Sequence, residues 1–330
     1  MPPRGRSVNL RSGYCMDSPE QSIPIRFEKI LLTTDFSSVS EKALPYAAAI
    51  ARHFGATLYV AHVIPTEEYV DIPPNERATA VARLKQEAEE KITAVLATSH
   101  FQGIPHKIIL DHGDVLSLLA RIVEEQDIDL IVTGTHGKHG LQKLLSGSMA
   151  EEIFRLASVP VLAIGPEVVI DPQVEVRVER ILYATDFSHE SRQAMRYAYA
   201  LAREYAAHLY FLHIVEDVWQ EPFSTKVSAE TFCRIQLQEK GFSDIEEGVQ
   251  PEFLVQFGLA EDLTLEMARK REIQLMVLHV PGTLHPVLSA HLPGPIAYNI
   301  VSHAPCPVLG VRGDSQMAQD EELKTRPAAD

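Results

Sequence analysis

The chain repeats itself, and this duplication constrains the fold more than any other feature. The stretch 27–37, FEKILLTTDFS, returns as 178–188, VERILYATDFS. Each copy ends with a short apolar run after a proline, at 161–164 and 308–311. The offset of about 150 residues is far longer than a solenoid repeat and is an ordinary domain size. The sequence therefore predicts two similar domains in tandem.

Composition and charge exclude several classes of protein. No apolar run approaches the roughly 20 residues of a membrane span, and the N-terminus lacks the apolar core of a secretory signal. Three cysteines lie far apart without metal-ligand spacing, which favours the reducing cytoplasm. The formal net charge of −15 disfavours nucleic-acid binding, which needs a positive surface.

Apolar runs alternate with helical periodicity in both copies, which predicts parallel sheets with helices on both faces. A capping box of Ser38 with Glu41 predicts the start of the first helix, and Asp114 is predicted to cap a later one. Predicted strands lie at 30–34, 57–64, 107–110, 128–133 and 161–164, and again at 180–184, 207–215, 252–256, 273–278 and 308–311. The predicted organisation is a flexible tail 1–25, a domain 26–165, a linker 166–178, a domain 179–312 and a disordered tail 313–330.

A glycine-rich stretch follows the fourth predicted strand. Gly134 and Gly137 allow the chain to turn sharply and to approach a ligand closely. Gly147 and Ser148 then open a predicted helix at 148–156, whose free amides and positive dipole end favour an anion. The stretch does not have the spacing of a Walker A loop. The glycines alone leave two interpretations open, a phosphate site and an ordinary loop between a strand and a helix.

Two motifs together resemble the universal stress protein family. They are Thr34-Asp35-Phe36-Ser37 after the first strand, and Gly134-x-x-Gly137, nine residues, then Gly147-Ser148. The resemblance covers nearly the whole chain outside the tails, twice over. It implies an α/β fold of two tandem doubly wound domains, each a five-stranded parallel sheet of order 3-2-1-4-5 with helices on both faces. That order reverses between strands 1 and 4, so a ligand crevice is expected beyond their carboxyl ends.

The resemblance also implies which residues bind a nucleotide. In the family's ATP-binding members, the acid after the first strand contacts adenine and the glycine loop wraps the phosphates. Asp35 would then bond the adenine edge, with Thr33 beside it and Val63 packed on the base. The expected contacts to ribose and phosphates come from Gly134, His136, Gly137, Gly147, Ser148 and Met149. The expected ligand is ATP, with AMP or another adenine nucleotide left open, and Mg²⁺ could accompany the phosphates. Asp35 could instead simply cap the next helix.

The second copy keeps the acid, as Asp186, but departs from the glycine pattern. His279 stands opposite Gly134, the spacer that follows Gly282 has eleven residues, and Pro295 replaces Ser148. A proline there removes an amide donor as well as the hydroxyl. Ile214 occupies the place of Val63. We therefore predict that the second domain binds ATP weakly or not at all.

The histidines do not make a convincing metal site. His279, His285 and His291 have no compact ligand motif and no evident carboxylate partner, so surface histidines are the favoured interpretation and no metal site is predicted. His62 and His213 lie in the middle of predicted strands and are expected to be buried, hydrogen-bonded core residues.

The sequence lacks evident machinery for phosphoryl transfer. Such an enzyme needs metal-binding carboxylates and a group that orients the nucleophile, whereas the glycine loop contains no Asp or Glu. No catalytic residue is therefore predicted. The favoured function is a nucleotide-binding stress-response module with ATP in the first domain. A slow ATPase or adenylyl-transfer enzyme is one alternative, and a nucleotide-independent dimeric scaffold is another.

The resemblance also predicts how the two domains associate. Family members dimerise largely through strand 5, so 161–164 and 308–311 would pair edge to edge within one chain and protect both sheet edges. The expected partners are thus an adenine nucleotide, the second domain as an intramolecular pseudo-dimer, and an unidentified protein. A homodimer of whole chains is compatible with this arrangement.

Overall fold

The structure is a computed structural model that describes residues 25–135, 149–170, 176–188, 191–216, 231, 235, 249–280 and 294–313. The predicted tails and part of the predicted linker lie outside these residues.

Both copies alternate strands with helices, as the sequence predicts. The first copy contains β1 (Lys29–Thr33), α1 (Ser38–Phe54), β2 (Thr57–Pro65), α2 (Pro74–Leu96), β3 (His106–Gly113), α3 (Val115–Gln126), β4 (Leu130–Gly134), α4 (Met149–Leu156) and β5 (Val161–Ile164). The second contains β6 (Arg180–Ala184), α5 (Arg192–Glu204), β7 (His208–Val215), β8 (Glu252–Phe257), α6 (Ala260–Lys270), β9 (Leu275–Val280), α7 (Gly294–His303) and β10 (Val308–Arg312).

The described strands form a single ten-stranded sheet of order β3-β2-β1-β4-β5-β10-β9-β6-β7-β8. The first five have the predicted order 3-2-1-4-5, and the second five have the same order in reverse. Neighbouring strands within each half are parallel, whereas β5 and β10 are antiparallel, with Leu162 opposite Leu309. The prediction that these two strands pair edge to edge is confirmed, and both edges are thereby covered.

Each face of the sheet carries its own layer of helices. On one face, α1, α2 and α5 pack against the sheet in one apolar cluster. On the other, α3, α4, α6 and α7 do so in a second cluster. The central strands are buried on both faces, which explains why they are apolar throughout rather than alternating with polar residues.

The helix caps test two local predictions. The Asp114 side chain accepts a hydrogen bond from the backbone N–H of Ser117, so its predicted role as the cap of α3 is confirmed. The predicted capping box at Ser38 is wrong, because the cap of α1 is Ser37, whose side chain accepts from the N–H of Ser40. Sequence spacing identified the helix start to within one residue, which is the usual precision for a helix end.

Candidate functional site at the ends of the first-copy strands

The turn after β1 is held by side-chain hydrogen bonds. The Asp35 Oδ1 atom accepts the N–H of Ser37 at 3.0 Å. Ser37 in turn caps α1, and the Ser40 hydroxyl donates back to the Ser37 carbonyl oxygen at 2.9 Å. The interpretation of Asp35 as the helix cap is therefore wrong. Its carboxylate closes the turn that precedes the capping residue, which fixes its position at the end of β1.

An aromatic residue in an unusual backbone conformation continues this turn. Phe36 has a φ of 60°, a region that bulky residues rarely adopt. Its N–H donates to Thr34 Oγ1 at 3.1 Å, and its ring lies 4.6 Å from the ring of His62. His62 is only 9% exposed, and its Nδ1 donates to the Thr34 carbonyl oxygen at 2.8 Å. The prediction of a buried, hydrogen-bonded His62 is confirmed, and these contacts hold the strained turn in place.

The strand order reverses between β1 and β4, and two threonines meet there. Thr33 Oγ1 donates to Thr133 Oγ1 at 2.8 Å, and the Thr133 hydroxyl lies 3.3 Å from the Gly134 carbonyl oxygen. Thr133 is 4% exposed. The sequence analysis missed Thr133, although its place beside the first loop glycine was a usable signal.

The strand ends present their side chains to a common face. Along β1, β2 and β4, alternate residues belong to the apolar cluster that contains α3 and α4. Because side chains alternate between the faces of a sheet, the last residues of this series point the same way. They are Thr33, Val63 and Thr133.

A glycine is required at position 134 because the end of β4 lies very close to the backbone of α1. A Cβ atom at this position would lie 2.8 Å from the backbone Cα and N of Ser40 and from the carbonyl carbon of Val39. The first turn of α1 therefore lies directly against the end of β4. Gly134 thus has a packing role against α1, in addition to the sharp turn and the ligand approach that the sequence analysis considered.

An ion-pair cluster lies beside Val63, at the end of β3. Asp111 is opposite Val63 in the strand register. Its carboxylate accepts from Arg121 Nη2 at 2.6 Å and lies 3.5 Å from Lys85 Nζ. Burial pulls the pKa of Asp111 upward, but the backbone N–H of His112 and the two cations outweigh it and hold the pKa below its usual value. Sequence spacing could not reveal this cluster, because its cations come from α2 and α3.

The described residues bring together only part of the predicted site. Thr33, Asp35, Val63 and Gly134 lie at the ends of adjacent strands, and Met149 begins α4. The remaining predicted residues, His136, Gly137, Gly147 and Ser148, lie outside the described residues.

The second copy reproduces the turn in detail. Asp186 Oδ1 accepts the N–H of Ser188 at 2.9 Å, and Phe187 has a φ of 59°. The ring of His213 lies 4.9 Å from that of Phe187, and its Nδ1 donates to the Thr185 carbonyl oxygen at 3.0 Å. His213 is buried and hydrogen-bonded, as predicted. The turn is therefore a shared structural element of both copies.

The second copy differs where its strand order reverses. Ala184 and Leu278, a register pair on β6 and β9, replace the two hydrogen-bonded threonines. His279 replaces Gly134, and α5 begins at Arg192, which corresponds to Glu41 inside the first turn of α1. Gly282 and the side chain of Pro295, the other predicted departures from the glycine pattern, lie outside what the structure describes, and so do His285 and His291 of the disfavoured metal site.

The residues that the structure describes contain no group of three or more His, Cys, Asp or Glu side chains that could hold a metal ion. Nor do they contain a helix with the length and apolar character that crossing a membrane requires.

Comparison with known proteins gives a consistent result. The model of the universal stress protein family matches residues 26–165 and 177–312. A universal stress protein of Methanocaldococcus jannaschii is 32% identical over 139 residues, which are 42% of this chain and 82% of that protein. Universal stress protein A homolog 1 of Coxiella burnetii is 33% identical over 145 residues, 42% of this chain and 97% of that protein.

A solved structure matches both copies at once. The crystal structure of a universal stress protein from Archaeoglobus fulgidus aligns over 88% of this chain and 98% of its own, with a TM-score of 0.63 and 22% identity. This likeness establishes the fold. Because the family model matches both copies over most of their length, the chain belongs to the universal stress protein family as a tandem, two-domain member.

Proposed function

We propose that the first repeat binds an adenine nucleotide, with ATP as the expected ligand, and that the chain acts as a nucleotide-dependent regulatory module. The observation that carries this proposal is the convergence of Thr33, Asp35, Val63 and Gly134 where the strand order reverses. Open α/β sheets bind their ligands in the crevice beyond the carboxyl ends of the strands at this point.

The residues present fit an adenosine group. The Asp35 carboxylate is an acceptor held at the end of β1 by its bond from the Ser37 N–H, and the exocyclic amine of adenine is a donor. Val63 is a partly buried apolar side chain on the face that carries α3 and α4, suited to packing on the base. Thr33 adds a hydroxyl beside it, fixed by Thr133.

The start of α4 suits the phosphates. The helix begins at Met149, directly after the Gly147-Ser148 pair, and the first amides of a helix favour an anion. We propose Mg²⁺ only as a companion of the phosphates. His136 would pair with a phosphate, as the resemblance implies. The same proposal includes the expectation that the protein is cytoplasmic and that whole chains form a homodimer.

Two other functions are kept as alternatives. A nucleotide-independent scaffold is favoured by the antiparallel pairing of β5 with β10, which joins the repeats into one sheet. A slow ATPase or adenylyl-transfer enzyme would be favoured by turnover that a Ser148→Ala substitution abolishes.

The test is a calorimetric titration of the nucleotide-stripped full chain with ATP and Mg²⁺. Asp35→Ala and Asp186→Ala are a matched pair, because each removes the same turn hydrogen bond. We expect one site per chain, weakened by about tenfold or more in Asp35→Ala, since a bond to a charged group is worth roughly 1.5–3 kcal/mol. Asp186→Ala should bind as the wild type does.

The other outcomes separate the alternatives. Two sites, with one lost in each variant, would show that the second repeat also binds. Equal binding by both variants would remove the assigned role of Asp35. If the wild type binds neither ATP nor AMP, the scaffold is the better account. Repeating the titration with Gly147→Val tests the glycine loop independently of the turn at Asp35.

A further inference from the structure

Two hydroxyls at the reversal of the strand order form a hydrogen-bond relay with a fixed direction. The Thr33 hydroxyl donates to Thr133 Oγ1 at 2.8 Å, and the Thr133 hydroxyl donates in turn to the Gly134 carbonyl oxygen at 3.3 Å. A threonine hydroxyl has one proton and two lone pairs. Both protons are therefore used within the relay, which runs from the end of β1 to the end of β4.

The relay fixes what each hydroxyl can still offer to a ligand. Thr133 is only 4% exposed, so its role is to receive the proton of Thr33 rather than to contact a ligand. Thr33 is partly exposed, and once its proton is donated to Thr133 its oxygen has only lone pairs left. A free threonine could either donate or accept, whereas Thr33 in the relay presents an acceptor.

The end of β1 therefore has the opposite hydrogen-bonding character to the start of α4. The Asp35 carboxylate also accepts, and it is held in place by the N–H of Ser37. The first amides of a helix such as α4 are donors. A nucleotide has donors on the exocyclic amine of its base and acceptors on its phosphates. The amine consequently matches Thr33 and Asp35, and the phosphates match α4.

We propose that Thr133 is a positioning residue that, through Thr33, makes the site select the 6-amino group of adenine over the 6-oxo group of hypoxanthine or guanine. This inference rests on the adenine-nucleotide binding proposed above and names the residue that sets its base selectivity. The two N–H groups of the amine would be shared between Thr33 and Asp35. A 6-oxo group is an acceptor, so it would meet the lone pairs of Thr33 with no proton between them, which weakens binding.

The second repeat lacks the relay but keeps the acid. Ala184 and Leu278 stand at the places of Thr33 and Thr133, whereas Asp186 makes the same turn bond as Asp35. The relay is therefore not needed to form the strand ends or the turn. Its presence in the repeat that we propose binds the nucleotide supports a role towards the ligand.

The test compares ATP with inosine triphosphate, which has a 6-oxo group in place of the amine. Both are titrated calorimetrically, with Mg²⁺, into the nucleotide-stripped full chain, and the wild type should bind ATP about tenfold more tightly. Thr133→Val keeps the shape of the side chain but removes the acceptor of the Thr33 proton. The Thr33 hydroxyl can then donate to the 6-oxo group, so the ratio of the two affinities should fall by about fivefold.

Two control variants separate selectivity from general stability. Thr133→Ser retains the hydroxyl and should restore the wild-type ratio of affinities. Thr264→Val makes the same change at a threonine of α6 that is 1% exposed, in the second repeat, and should also leave the ratio unchanged. A general loss of stability weakens both nucleotides alike, so it does not alter their ratio.

The outcomes distinguish this inference from the proposed function. If Thr133→Val binds ATP and has the wild-type ratio, or if the wild type binds both nucleotides equally, the role of the relay is overturned while nucleotide binding stands. If the wild type binds neither nucleotide, both proposals fail. If Thr133→Val does not fold, Thr33→Val decides, because it removes the acceptor itself, and an unchanged ratio there would equally overturn the inference.

Discussion

The two repeats have the same turn after their first strand but different surroundings for it. The Asp35 and Asp186 carboxylates make equivalent bonds, and Phe36 and Phe187 have φ angles of 60° and 59°. A conserved geometry in both repeats shows that the Thr-Asp-Phe-Ser motif builds the fold. The motif alone is therefore a poor indicator of which repeat binds a ligand.

The informative differences lie where the strand order reverses. In the first repeat, two hydrogen-bonded threonines and a glycine form the ends of β1 and β4. The second repeat has Ala184, Leu278 and His279 at these places, so its strand ends lose the paired hydroxyls and gain a side chain. The strand ends are thus polar in the first repeat and more apolar in the second.

The junction between the repeats is asymmetric in the same way. The ring of Phe154 on α4 lies over Gly310 of β10, where a Cβ atom would overlap it. The corresponding residues of the other repeat are Val301 and Ala163, so that repeat has a smaller residue than Phe154 and a larger one than Gly310. The ring of Phe154 in the first repeat occupies the space that a side chain at Gly310 of the second repeat would need. The two repeats are therefore not interchangeable at their shared edge.

The largest expected effect comes from breaking this fit. Phe154 is 7% exposed, and Phe154→Ala should destabilise the chain by about 3–5 kcal/mol, because it leaves a cavity over Gly310. Gly310→Ala alone should cost about 1–3 kcal/mol through overpacking. Urea unfolding followed by circular dichroism measures both changes.

The double variant tests whether the two positions act together. Once the ring is absent, the added methyl of Gly310→Ala keeps only its close contact with Val280 Cγ2, at 2.9 Å, so the double variant should be more stable than the sum of the single effects predicts. Val301→Ala is the matched control, and we expect a smaller loss there. Strictly additive effects would show that the asymmetry has no energetic consequence.

A smaller effect is expected where β4 meets α1. Gly134→Ala places a Cβ 2.8 Å from backbone atoms of Ser40 and Val39, which cannot move as a flexible side chain can. It should destabilise the first repeat by about 1–3 kcal/mol. His279→Ala, at the corresponding place of the second repeat, should cost less than about 1 kcal/mol.

The same two variants test whether Gly134 supports ATP binding as well as packing. Gly134→Ala should also weaken ATP binding in the titration described above, since it displaces the first turn of α1, which follows directly on Ser37. Unchanged stability in Gly134→Ala would contradict the close packing of α1 on β4. Equal losses in both variants would mean that the strand ends of the two repeats are alike in packing.

The sequence predicted the fold well because its main signals are repeated and apolar. Buried parallel strands are continuous apolar runs, and the duplication supplied two independent copies of each run, so the strands themselves were predicted from the residues. The strand order and the pairing of β5 with β10 were implied by the resemblance to the universal stress protein family. The cap of α1 was misplaced from Ser37 to Ser38, since two neighbouring serines offer the same capping chemistry.

The site was less predictable because it depends on contacts between distant segments. The bond from Thr33 to Thr133 joins residues 100 positions apart. The packing reason for Gly134 is the backbone of α1, and the partners of Asp111 come from two different helices. Because these contacts join residues that are far apart in the sequence, no local sequence pattern indicates them, and they become visible only in the folded structure.

The smallest predicted effect concerns charge, where the two repeats differ at the end of their third strand. Gln256 occupies the place of Asp111, since each lies opposite the corresponding residue of the preceding strand, Ile214 or Val63. Because the folded pKa of Asp111 lies below the unfolded value, its stabilising effect is fully present at neutral pH. That effect is lost as the pH falls below about 4 and through the folded pKa.

Asp111→Gln should therefore lower stability by up to about 1 kcal/mol at pH 7, since the ion pairs are partly solvated. The difference from wild type should shrink as the pH is lowered from 5 towards 3, because the wild-type carboxylate becomes protonated. Urea midpoints measured across this range, with Gln256→Glu as the control in the second repeat, check the sign. A difference that grows on acidification would mean that burial, which raises the pKa of Asp111, outweighs the two cations and the His112 N–H.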